Sequence, residues 1–156
     1  MKGYSLLLKS FSEVVKKNNK LKLVLIGKGT ERYRNHDNII ALGMISNIEK
    51  YYSMADFIIL TSLFGEGFSN VLVEGMLSRL IPIASDVGDN KLIIGKAGIT
   101  FPANNIKLII DSLEKTANMK SNTIKVVSNK ALLRAKNKFN IKKMLISYKN
   151  IYQAFV

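Results

Sequence analysis

The chain has 156 residues and a formal net charge of +13, from 24 Lys and Arg against 11 Asp and Glu, with one His and no Cys. That length makes one domain with a single sizeable core, and the lack of cysteine excludes a disulfide framework and a thiolate metal site. No apolar run approaches the ~18 residues of a membrane span and no signal-peptide pattern opens the chain, so a soluble or peripheral protein of the cytoplasm is expected.

Tyr4, Leu7, Leu8, Phe11, Val14 and Val15 recur at helical spacing and end at the polar run Lys16-Lys17-Asn18-Asn19. Residues 21–26 predict a strand. It stops at Gly27-Lys28-Gly29, a glycine pair that fits nucleotide binding and a plain strand-to-helix turn about equally. Residues 30–37 are polar and hold His36, which reads as solvated and, without Cys or a second His, makes no metal site. A short strand at 38–42 ends in Gly43. Ser46-Asn47-Ile48-Glu49 looks like a helix start, with Ile48, Tyr51, Tyr52 and Ala55 as its packed face, core and rim rather than a stacking platform.

Residues 56–62 are nearly all apolar, as a parallel strand covered on both faces must be. Gly65-Glu66-Gly67-Phe68 then turns the chain into a helix over 69–80. Ser69 and Asn70 are good caps, and the first-turn N–H groups are left free for an anion. Strand, glycine turn and helix N-terminus together make a phosphate cradle. Glu66 falls in the loop beside it and Glu74 about two helical turns along, with seven residues between them and neither aimed at the core. A carboxylate has two acceptor oxygens and suits a vicinal diol, so a glutamate here reads as a ribose or sugar acceptor; the spacing alone equally fits two solvated acids.

Residues 81–85 form a further strand, and Asp86-Val87-Gly88-Asp89-Asn90 turns at its C-terminal end, where ligands gather in open parallel sheets. A last short strand at 99–101 is closed by Pro102. Three helical stripes follow, the last and most complete being Ile141, Met144, Leu145, Tyr148, Ile151, Tyr152 and Phe155. Lys120, Lys125, Lys130, Arg134, Lys136, Lys138, Lys142, Lys143 and Lys149 all lie in this helical third, which suits an anionic membrane surface at the inner face of the membrane. No nucleic-acid module is recognisable, so nucleic acid is not an expected partner.

The central stretch, Glu66-Gly67-Phe68-Ser69 with Glu74-Gly75-Met76, resembles the motif of retaining glycosyltransferases of the two-Rossmann-domain (GT-B) type, family 4. The resemblance runs through Lys2-Gly3, Val24-Leu25-Ile26-Gly27-Lys28-Gly29, Ile40-Ala41-Leu42-Gly43, Ile81-Pro82-Ile83-Ala84-Ser85 and Ala97-Gly98-Ile99-Thr100-Phe101-Pro102, in the family's order. It implies a single α/β domain over 1–156, a Rossmann-like doubly wound parallel sheet with helices on both faces and a helical C-terminal third. It further implies a hexosyltransferase's donor half, binding a nucleoside diphosphate sugar for retaining transfer to a sugar or lipid-linked acceptor in polysaccharide, lipopolysaccharide or glycolipid synthesis.

By the same resemblance Glu74 accepts from the ribose and Glu66 touches the donor sugar, the two being the catalytic candidates. The backbone of Gly67, Phe68, Ser69, Asn70 and Val71 cradles the diphosphate, Lys2 neutralises it, and Gly43 and Met44 lie near the base. No metal or cofactor is implied, since a helix N-terminus and basic side chains supply the charge. A noncatalytic or truncated nucleotide-sugar-binding module needing a partner chain, and a sugar-nucleotide epimerase, are the alternatives.

Three departures stand out: Ser69 replaces the family's second glycine, Gly75 its alanine, and Leu92 an acid after the glycine loop. The family also places a strand and a phosphate-binding arginine before Lys2. The strand belongs between those at 21–26 and 56–62, in the order 3-2-1-4-5-6. Without it, those two strands should close up and pair, or another chain should supply the strand. The stripe at 141–155 should fold back on this domain or dock on a missing N-terminal acceptor domain.

Overall fold

The computed structural model describes residues 2–33 and 37–155; His36 lies outside them. Five parallel strands alternate with helices: α1 Tyr4–Lys17, β1 Leu23–Ile26, β2 Ile39–Gly43, α2 Glu49–Tyr52, β3 Phe57–Leu60, α3 Asn70–Leu77, β4 Ile81–Ser85, α4 Asn90–Ile94 and β5 Ile99–Phe101. A 3-10 turn, Thr30–Tyr33, follows β1. Three helices complete the chain: α5 Ile106–Ala117, α6 Ser121–Lys138 and α7 Ile141–Gln153.

Alternation along the strands assigns the two faces. Phe57, Ile59 and Ile83 point into one core with Leu7, Phe11 and Val14 of α1 and Ile109 and Leu113 of α5. Their neighbours Ile58, Leu60 and Ala84 point the other way, into a core with Leu72 and Met76 of α3, Ile93 and Ile94 of α4, and Ala131 and Ala135 of α6. Side chains two residues apart share a sheet face, so one run of apolar residues feeds both layers. The result is the expected doubly wound arrangement with helices on both faces.

The expected closing-up of the strands does not occur. Among the described residues β1 pairs only with β2, Leu23 opposite Ile39, while β3, β4 and β5 form a second sheet, with Phe57 opposite Ile81 and Ile83 opposite Ile99. The first core nonetheless spans both sheets, since Leu23, Leu25 and Ala41 join it from β1 and β2. Among the described residues β1 and β3 each keep one edge unpaired, a slot in the sheet, and α1 packs over residues of both sheets through Leu7, Phe11 and Val14.

The slot leaves its mark on burial. Every residue of β4 is buried, whereas every residue of β3 is only half-buried, so β3 is an edge strand here and not a strand covered on all sides. The helix expected from Ser46 is shorter than its stripe, with Tyr52 buried but Ala55 exposed. Nor does α7 fold back: it buries no residue, and Ile141, Leu145, Tyr148, Ile151, Tyr152 and Phe155 are all more than half exposed. No helix among the described residues is long and apolar enough to cross a membrane.

Candidate functional site

Three segments converge at the C-terminal ends of β3 and β4, each held by backbone contact. Gly3, which starts α1, has φ 64°, and a Cβ there would lie 2.0 Å from the Thr61 carbonyl oxygen. Thr61 Oγ1 donates towards the carbonyls of Lys2 and Gly3, at 3.2 Å each. On the other side Gly88, φ 56°, brings the loop after β4 against the loop after β3, and its Cβ would lie 2.2 Å from the Glu66 carbonyl oxygen. The Asp89 amide donates to the Gly67 carbonyl at 3.3 Å. Only glycine allows both the left-handed backbone and the close approach.

Glu66 is the polar centre of this junction. Its side chain is only 10 % exposed, so it turns inward, contrary to the expectation of a carboxylate not aimed at the core. One oxygen, Oε1, accepts from Lys2 Nζ at 2.5 Å and from Ser62 Oγ at 2.5 Å. Burial pushes its carboxyl up. The hydrogen bonds from Lys2 and Ser62, with the charge of Lys2, outweigh burial and hold it below the ordinary value. Oε2 has no hydrogen-bond partner among the described residues, so its acceptor capacity is unused there.

Behind Glu66 runs a relay that the sequence did not announce. Asn90 Nδ2 donates to the Ser85 carbonyl at 3.1 Å, Ser85 Oγ to the Ser62 carbonyl at 2.6 Å, and Ser62 Oγ to Glu66. All three residues are buried, and Asn90 Oδ1 is the buried side-chain atom without a partner among the described residues. The only signal in the sequence was a serine at the end of each of two apolar runs, Ser62 after β3 and Ser85 in β4.

Strand, glycine turn and helix follow one another as expected, with one difference in the cap. Ser69 is the N-cap of α3 but its side chain accepts no capping hydrogen bond, so the first-turn amides of Asn70 and Val71 are not engaged by it. Ser69 is buried, Gly67, Asn70 and Val71 are exposed, and Phe68 is exposed on one side and meets Phe139 edge-on at 5.4 Å. That contact fastens the loop to the end of α6. Arg134, near that end, donates to the Ile93 carbonyl at 2.7 Å and to the Leu92 carbonyl at 2.5 Å, so α6 also holds α4 in place.

Glu74 lies one turn beyond Asn70, about 6 Å along the axis of α3, on its exposed side. Gly75, beside it, faces Ile58: a Cβ there would sit 2.8 Å from Ile58 Cδ1, which explains why this position carries glycine. The Glu74 carboxylate accepts from the Tyr52 hydroxyl at 3.0 Å. Gly43 ends β2, and both its backbone groups are already used: its amide donates to Thr30 Oγ1 at 3.0 Å and its carbonyl accepts from the Gly27 amide at 2.7 Å. Met44, by contrast, is 72 % exposed. No group of three or more His, Cys, Asp or Glu among the described residues could hold a metal ion.

Comparison with known proteins bears on the family and the fold. The family model for glycosyl transferases group 1 matches residues 1–118. No curated protein matches. Among solved structures the chain is similar to a glycosyltransferase from Rickettsia africae, with a TM-score of 0.83 and 20 % identity over 98 % of this chain and 44 % of that one. It is similar to S. aureus TarM, in a structure that includes UDP, with a TM-score of 0.83 and 23 % identity over 97 % of this chain and 33 % of that one. Anabaena HepE in complex with UDP-glucose gives 0.80 and 17 % over 98 % and 45 %. The chain thus spans between a third and just under half of these enzymes. It belongs to the group 1 glycosyltransferase family, and its fold is that of the C-terminal portion of the two-domain members.

Proposed function

We propose that this chain is the donor-binding half of a retaining hexosyltransferase. Its ligand is a nucleoside diphosphate sugar, whose sugar passes to a sugar or lipid-linked acceptor with retention at the anomeric carbon. The observation that carries the reading is the placement of Glu66 and Glu74 on either side of the uncapped N-terminus of α3, with Lys2 held against Glu66.

Each residue then has a task. The α3 amides from Asn70 and Val71, with the backbone of Gly67, Phe68 and Ser69, meet the diphosphate oxygens. Lys2, whose side chain is 54 % exposed, adds its charge from the α1 side. Glu66 presents Oε2 to a donor-sugar hydroxyl, Glu74 accepts from the ribose diol, and Met44 flanks the base. Charge that develops on the departing diphosphate meets donors fixed before the reaction, so little reorganisation is needed.

The acceptor half comes from elsewhere in a longer polypeptide or from a partner chain, and α7 docks on it. That docking accounts for a helix whose apolar stripe buries nothing in this chain. The basic C-terminal third draws the assembly to an anionic membrane surface on the cytoplasmic side.

Titration calorimetry with UDP, GDP and ADP tests the reading. One of them is expected to bind, and Glu74→Ala to weaken it by ~1.5–3 kcal/mol, the value of a charge-assisted hydrogen bond. Binding by none, or an equally tight Glu74→Ala variant of unchanged fold, contradicts the ribose assignment.

A further inference from the structure

Glu74 sits on the exposed side of a helix, where a long side chain ordinarily samples several rotamers and ordering it on a ligand costs free energy. In this chain it is not free. The hydroxyl of Tyr52, from α2, reaches across to Glu74 Oε2 at 3.0 Å, and Tyr52 itself is only 7 % exposed. Ile48, Glu49, Tyr52, Glu74, Leu77 and Ser78 line a cavity of about 340 Å³ between α2 and α3, so the hydrogen bond crosses one wall of an open cleft. Among the described residues no other group bonds to the Glu74 carboxylate.

We propose that Tyr52 is a positioning residue for nucleotide recognition, fixing the Glu74 carboxylate in the orientation that accepts a ribose diol. The proposal rests on the assignment of Glu74 to the ribose. A carboxylate offers about four lone-pair sites. Tyr52 occupies one of them on Oε2, and the remaining Oε2 site and both on Oε1 stay open for two hydroxyl donors. The tyrosine ring is immobilised by burial, so the anchor brings little flexibility of its own. Burial first, then the bond to Glu74, pushes the Tyr52 hydroxyl far above its ordinary value, so it keeps its proton and remains a donor throughout the working pH range. Tyr52 touches the carboxylate and not the nucleotide, so its effect falls on the ribose and not on the diphosphate.

The test measures the affinities of UDP, GDP and ADP and of their 2′,3′-dideoxy counterparts for the parent chain, Tyr52→Phe and Glu74→Ala. Circular dichroism and urea unfolding check each fold. Tyr52→Phe removes one oxygen, and it is expected to weaken the ribonucleotide about 3- to 10-fold, as loss of one hydrogen bond would, while the dideoxy form binds as before. A purely structural role would weaken both forms alike. A parent-like ratio in Tyr52→Phe, with the ratio collapsed in Glu74→Ala, overturns the positioning role alone. An unchanged ratio in Glu74→Ala, or no binding by the parent, overturns the ribose assignment and this proposal with it.

Discussion

Glu66 is where opposing effects on one carboxyl can be ranked. Burial is the largest single influence and raises its pKa, yet the net shift is downward from the ordinary 4.5 because Lys2 and Ser62 act together against it. Removing Lys2 leaves burial opposed mainly by the weaker Ser62 hydrogen bond. Carboxyl NMR titration is therefore expected to place Glu66 below 4.5 in the parent and higher in Lys2→Met than in the parent. A depressed folded value contributes stability that is present above the unfolded pKa and is lost as pH falls through the folded one. Acidification below 4.5 should accordingly lower the urea midpoint of the parent more than that of Lys2→Met; parallel pH profiles would contradict the pairing. In the same ion pair the Lys2 side chain stays 54 % exposed while it meets a carboxylate that is only 10 % exposed.

Between elements, the contacts that set the site are backbone against backbone. The loops after β3 and β4 meet at Gly88, whose left-handed backbone and 2.2 Å virtual Cβ contact leave no room for a side chain. Gly88→Ala is expected to lose at least ~1–2 kcal/mol of stability from the left-handed backbone alone. It should also displace the Glu66 carbonyl and weaken nucleotide binding. An unchanged urea midpoint would show that the loops separate at little cost. The terminal helices divide the labour differently. Buried Ala131 and Ala135 and the Phe68–Phe139 contact make α6 part of the site's support, whereas α7 offers its apolar stripe outward.

At the scale of the whole molecule, β1 and β3 belong to separate sheets among the described residues, and the chain covers 32–45 % of its solved relatives. Amides of Phe57–Leu60 that face the slot should exchange hydrogen faster than those of β4, which is paired on both sides. Equal protection of the two strands would contradict an open edge. On the proposed reading as a donor-binding half, the chain alone is expected to give no measurable transfer from a radiolabelled donor; turnover without an added acceptor half would refute this. No acidic residue follows Glu114, so α6 and α7 carry positive charge without any acidic residue to offset it.

Local chemistry made most of the architecture legible in the sequence. Apolar runs of four to six residues before glycine turns mark β1, β3 and β4, and stripes at helical spacing mark α1, α5, α6 and α7, because burial imposes its period on the side chains. The glutamate pair and the turn between them likewise marked the cradle. What only the tertiary structure decided depends on residues far apart in the chain. The Lys2–Glu66 pair, the Asn90, Ser85, Ser62 relay and the Tyr52–Glu74 bond join different elements, and no spacing rule encodes them. The separation of the two sheets was hidden for the same reason. Strand pairing depends on the packing of helices over the sheet, and α1 packs over residues of both sheets by contacts that neither strand's own sequence contains.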